Sequence, residues 1–89
     1  EVEDVIYKRS EVQECAVVGL PDREWGERVT AYLIPKPGKT IDEKALKAFL
    51  KEQLSPFKVP KEFFVVHDLP RTPAGKIQKR ELRKAAAEA

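Results

Sequence analysis

The chain has no methionine, one cysteine, one histidine and one tryptophan in 89 residues, and each scarcity closes off a class of protein. A lone Cys15 cannot make an internal disulfide, which excludes a disulfide-stapled secreted scaffold and points to a reducing compartment, with the thiol as a small buried apolar residue. His67 has no cysteine partner within sequence reach, so zinc-ligand spacing is missing and no metal site is expected. It follows an apolar strand and reads as structural, and no nucleophile paired with a base is evident. Neither a Gly-Lys-Ser/Thr phosphate loop nor a Gly-x-Gly-x-x-Gly turn occurs. No apolar run approaches the length of a membrane span and no signal-peptide pattern opens the chain. A soluble, cytoplasmic protein is expected. Methionine is missing even at position 1, where residues 1–6 already carry apolar side chains at helical spacing. That start suggests a piece of a longer protein, although tag removal or initiator processing would explain it too.

The residues that are present describe one small domain. A chain of this length buries roughly 60–70% of its unfolded surface, enough for a modest core and too little for a large cleft. Charged residues make up 36%, yet the net charge is only +2, so the overall field announces neither nucleic acid nor membrane. The basic residues are uneven all the same, with Lys76, Lys79, Arg80, Arg83 and Lys84 near the end.

Read in order, Val2, Val5 and Ile6 form one face of a first helix that stops near Ser10. Residues 12–20 follow, apolar on successive positions from Cys15 to Val18, as in a strand covered on both faces, and are expected to form the central strand. Pro21 and Asp22 end it. A hairpin loop over 23–27 leads to a second strand over 28–34, closed by Pro35, Pro37 and Gly38. Thr40 and Glu43 have capping-box spacing, and Leu46, Phe49, Leu50 and Leu54 make the apolar stripe of a second helix, ended by Ser55-Pro56. A third strand over 62–66 comes next. A strand, helix and strand in succession predict a crossover with parallel flanking strands. With the first strand between them, the expected fold is α+β: a small three-stranded mixed sheet, order 2-1-3, flanked by about three helices. The last of these runs from 78 to about 87.

Three groups of residues carry possible chemistry. Leu69-Pro70-Arg71-Thr72-Pro73-Ala74-Gly75-Lys76-Ile77 is a loop, rigid at its prolines and flexible at Gly75, that holds Lys76 outward. An ammonium on such a loop suits phosphate or carboxylate oxygens, and a plain surface turn has the same residue types. Trp25 with Phe57, Lys58 and Lys61 sets flat rings beside lysines, as a nucleotide base with its phosphates requires, unless Trp25 merely covers the sheet edge. The helix from 78 could grip a nucleic-acid backbone, or be a solvated face interrupted by Glu81.

Gly19-Leu20-Pro21-Asp22-Arg23-Glu24-Trp25-Gly26-Glu27, Phe57-Lys58-Val59-Pro60-Lys61 and the Lys76 loop resemble, in order and spacing, the C-terminal domain of adenylate-forming enzymes, and Glu1-Val2-Glu3 resembles the end of a motif that follows the interdomain hinge. The likeness covers essentially all of 1–89, with the hinge and the N-terminal ATP- and acid-binding domain outside it. It implies an acid–thiol ligase that uses ATP, Mg2+ and coenzyme A, acts on a fatty or aryl acid, and is inactive as this piece alone. Lys76 corresponds to the catalytic lysine of adenylation, on a loop supported by Pro70 and Gly75. Trp25, Phe57 and Lys61 match positions near coenzyme A in some relatives, and Val59 stands where relatives can carry arginine. The spacing from Pro70 to Gly75-Lys76 resembles the target of lysine acetyltransferases. The implied partners are the protein's own N-terminal domain, its substrates and such an acetyltransferase. The rival is a stand-alone nucleic-acid-binding module working through the basic helix.

Overall fold

Five residues are too few for a helix to persist in water on its own, and α1 (Val2–Ile6) is held by burying Val5 and Ile6 in the core. The structure, a computed structural model, describes residues 2–24 and 26–88. Behind α1 comes a long hairpin of β1 (Val12–Asp22) and β2 (Gly26–Pro35), paired antiparallel from Val12↔Pro35 to Asp22↔Gly26. The crossover helix α2 (Glu43–Gln53) returns the chain to β3 (Glu62–Val65), which runs parallel to β2, and α3 (Lys79–Glu88) closes the fold.

Fold class, helices and the parallel crossover agree with expectation, but the strand order does not. The sheet runs β1-β2-β3, with β2 in the centre instead of the expected 2-1-3. The apolar run in β1 reports that both of its faces are covered, not that both of its edges are paired. Cys15, with Val17 beside it, turns to a core shared with Ile6, Leu33, Leu46 and Leu50, while Ala16, Val18 and Leu20 turn to a second core with Ile34, Leu69 and Leu82. The free edge of β1 is capped by side chains. Tyr7 Oη accepts from the Cys15 N–H at 3.1 Å, and a Glu3 carboxylate oxygen accepts from the Val17 N–H at 2.8 Å. Edge amides that would otherwise template another strand are thus occupied.

The cap of α2 also differs from the Thr40–Glu43 pairing. Asp42 is the N-cap, its carboxylate accepting from the Lys44 and Ala45 amides at 3.0 and 3.2 Å, because that function belongs to the residue immediately before the first helical one. The hairpin loop is shorter than 23–27, since pairing extends to Asp22↔Gly26.

Burial pushes the Cys15 thiol up to about 12, with the Glu3 carboxylate as a second cause. A raised value favours the protonated thiol in the folded chain, so this contribution to stability is complete below the ordinary value of 9.0 and is lost as pH rises from there towards the folded value. At pH 8 the native thiolate should be much scarcer than in the unfolded chain. Ellman's reagent should therefore react with Cys15 at the rate of unfolding. Prompt reaction in native buffer would mean that α1 does not cover β1.

Candidate functional site

The loop bearing Lys76 closes on itself. Arg71 and Ile77 form an antiparallel bridge, the Gly75 N–H donates to the Thr72 carbonyl at 2.8 Å, and the Gln78 N–H donates to the Pro70 carbonyl at 2.7 Å. Both backbone polar groups of Lys76 go to one residue. Its N–H donates to Thr72 Oγ1 at 3.2 Å and its carbonyl accepts from the Thr72 N–H at 2.8 Å. Gly75 has φ +90°, and a Cβ there would meet nothing within 4 Å. The glycine therefore serves the turn's backbone angle and not a close approach within this chain. The stretch expected to be flexible is a hydrogen-bonded hairpin. Its apolar feet, Leu69 and Ile77, pack in the second core with Leu82.

From this base the Lys76 side chain is exposed, and it lines an open groove with Thr72, Gln78, Arg80 and Lys84. Among the described residues it makes no ion pair. Arg71 is held instead: its guanidinium donates through Nη1 to Glu14 Oε1 at 3.0 Å, through Nη2 to the other carboxylate oxygen, and through Nε to Asp68 at 3.3 Å. Glu14 raises the Arg71 value. The Leu69 N–H, then Arg71, hold the Asp68 carboxyl below its usual range.

The second set of expected site residues lies at the other end of the sheet. Phe57 is 93% exposed in the turn before β3, and the Lys61 N–H donates to the Val29 carbonyl at 2.8 Å, beside the entry to β2. Lys61 lines a pocket of about 390 Å³ with Lys47, Lys51, Pro56, Val59 and Pro60. Three lysines and three apolar residues thus share its lining. Val59 is buried in the main core, so its side chain belongs to packing and not to a surface contact. Trp25 lies outside the described residues. Val29 pairs with Gly19, whereas Glu14, which holds Arg71, pairs with Ile34. From Glu14 to Gly19 is roughly 17 Å of strand at about 3.4 Å per residue. The structure thus brings Phe57 and Lys61 to one end and sets Lys76, Pro70 and Gly75 towards the other.

Sequence reasoning missed Thr72, Glu14, Glu3, Lys47 and Lys51. Only Thr72 left a signal, a hydroxyl three residues before a glycine in a turn. The basic helix is partly spoken for: Lys79 pairs with Glu3 at 2.8 Å and Arg83 with Glu27 at 3.1 Å, which turns two of its cations to the domain's own carboxylates. Among the described residues, no three His, Cys, Asp or Glu side chains are grouped to hold a metal ion, and no helix is long and apolar enough to cross a membrane.

A family model for the AMP-binding enzyme C-terminal domain matches residues 1–76. The chain belongs to that family. The oxalate–CoA ligase of Arabidopsis thaliana is 41% identical over 80 residues, covering 90% of this chain and 16% of that protein. A long-chain-fatty-acid–CoA ligase of Bacillus subtilis is 42% identical over 82 residues, covering 92% and 15%. Among solved structures, ATP-bound MatB from Rhodopseudomonas palustris matches with a TM-score of 0.89 at 42% identity, covering 94% of this chain and 17% of that one. This AMP-binding enzyme C-terminal domain therefore spans about a sixth of the length of the relatives it matches.

Proposed function

We propose that residues 1–89 are the mobile C-terminal domain of an ATP-dependent acid–CoA ligase whose hinge and ATP- and acid-binding domain lie in the rest of a longer protein. In the first half-reaction a carboxylate oxygen attacks the α-phosphorus of ATP, the bond to the bridging oxygen breaks, and acyl-adenylate and pyrophosphate result. In the second, the sulfur of coenzyme A attacks the acyl carbon, losing its proton, and AMP leaves. Lys76 brings a fixed positive charge to the carboxylate and α-phosphate oxygens, orienting the nucleophile and stabilising the charge-rich transition state. Magnesium supplies charge neutralisation on the nucleotide phosphates when it is bound. The residues described here do not fit a magnesium site, and no step on this chain runs through the ion.

The observation that carries this reading is the separation of the two sets of residues. A lysine on a braced hairpin towards one end of the sheet and the exposed Phe57 with a lysine-lined pocket at the other end cannot both face one reaction centre in one orientation. A rotation of the domain between half-reactions resolves that, presenting Lys76 for adenylation and then Phe57, Lys61 and the Trp25 loop to coenzyme A. In the second orientation Lys47 and Lys51 add positive charge where Val59 offers none. The relatives' names, an oxalate and a long-chain fatty acid ligase, support a carboxylic acid substrate and leave its kind open. A lysine acetyltransferase acting on Lys76 would remove the charge that adenylation needs.

ATP–pyrophosphate exchange tests the division of labour. The 89-residue chain alone should give none with any acid, since it offers a lysine and neither nucleotide nor acid pocket. The longer protein should exchange. Exchange by the chain alone would overturn the reading.

A further inference from the structure

The hairpin that carries Lys76 is internally closed, so it moves as a unit. Its hydrogen bonds run between residues 70 and 78 and do not by themselves fix the direction in which the Lys76 side chain leaves the domain. Leu69 and Ile77 set how deep the unit sits, because apolar packing is non-directional. What aims it must come from its two ends, and each end is gripped by a carboxylate from a distant part of the chain.

At the first end, the Arg71 guanidinium meets the Glu14 carboxylate through both Nη atoms, and Nη1 lies 3.0 Å from Oε1. A fork-to-fork pairing fixes the plane of the guanidinium as well as its place. Glu14 sits on β1, paired with Ile34 of β2 just after a shift in register between Val12 and Glu14. At the second end, Lys79 opens α3 three residues after Lys76, and its Nζ lies 2.8 Å from Glu3 Oε2, the oxygen that also accepts from the Val17 amide at 2.8 Å. Glu3 therefore ties α1, β1 and the start of α3 together at one atom.

We propose that Glu14 and Glu3 are positioning residues for adenylation, clamping the two ends of the hairpin so that Lys76 leaves the domain in the direction the reaction requires. This rests on the reading of Lys76 given above. The bland alternative is a pair of surface salt bridges that do little beyond holding the fold. The four side chains are 29–47% exposed, a setting in which ion pairs contribute modestly to stability, the bidentate Glu14–Arg71 pair more than the single Lys79–Glu3 contact. Rate is far more sensitive, since a displacement of about 1 Å costs on the order of a hundredfold. The clamp should therefore show in turnover far more than in melting.

The experiment uses the full-length ligase. Glu14→Ala and Glu3→Gln should each lower kcat for ATP–pyrophosphate exchange about 10- to 100-fold, with KM for ATP and acid and the melting temperature nearly unchanged. In a Lys76→Ala background the same substitutions should cost nothing further, because there is no ammonium left to aim; independent structural damage would add. The charge-swapped pair Glu14→Arg with Arg71→Glu should recover part of the loss. Full additivity with Lys76→Ala, an unchanged kcat in both single variants, or a fall in melting temperature that tracks the loss of rate would overturn the proposal. If Lys76→Ala itself leaves exchange intact, the reading of Lys76 fails instead.

Discussion

Under the proposed function, Lys76→Ala in the full-length protein should slow acyl-adenylate formation by roughly 100- to 1000-fold, the usual effect of removing one preorganised donor from a site of developing charge. Thioester formation from supplied acyl-adenylate should keep most of its rate. The asymmetry follows from the proposed rotation, which takes Lys76 away before the thiol reacts. Lys76 stands exposed on a hairpin that ties both of its backbone polar groups to Thr72, so the side chain is free to reach outward while its base is fixed. No described residue pairs with the ammonium, so alanine leaves no carboxylate stranded in this domain, and stability should hardly change. Rapid-quench measurement of the two half-reactions separates the outcomes. Equal loss in both would make Lys76 a support for fold or hinge.

Leu50→Ala should produce the largest loss of stability from a single change, with Leu46→Ala close to it. Both side chains are fully buried, and they dock α2 on a core that also contains Ile6, Cys15, Ala31 and Leu33. Truncating such a leucine costs about 2–5 kcal/mol, against roughly 4–13 kcal/mol for a domain of this size at 0.05–0.15 kcal/mol per residue. The double variant should be unfolded at 37 °C. Ala48→Gly, on the exposed side of α2, is the comparison: it tests helix propensity alone and should cost about 1 kcal/mol. Urea titration followed by circular dichroism gives both values. Equal effects from Leu50→Ala and Ala48→Gly would mean that α2 is not docked as described.

Much of this domain can be read from local signals. The hairpin, the crossover helix with its leucine stripe, the third strand and the last helix all announce themselves by period and punctuation, and Pro70, Pro73 and Gly75 mark the Lys76 turn. The strand order escaped because the run Cys15-Ala16-Val17-Val18 measures burial of two faces, which α1 and α2 on one side and α3 with Leu69 on the other supply to an edge strand. The cap escaped because Thr40 and Asp42 both carry side chains fit for it, and only the backbone angles around Asp42 decide between them. Partnerships across the chain left no trace at all. Glu14 and Arg71 are 57 positions apart, and Lys47 and Lys51 look like an ordinary solvated face until the fold sets them in one pocket with Val59 and Pro60. Charge pairs and pocket walls of that kind are set by tertiary packing, which local patterns do not encode.

The most direct test of the central claim is a reversible one. Full-length protein carrying Nε-acetyl-lysine at position 76 would be assayed for each proposed half-reaction, then treated with a deacetylase and assayed again. Acetylation removes the charge and keeps the stem and the loop. Adenylation should be suppressed in the acetylated protein and restored on deacetylation, with thioester formation from supplied acyl-adenylate little altered throughout. Adenylation that proceeds at full rate with Lys76 acetylated, or a thioester half-reaction that falls and recovers in step with it, would contradict the claim.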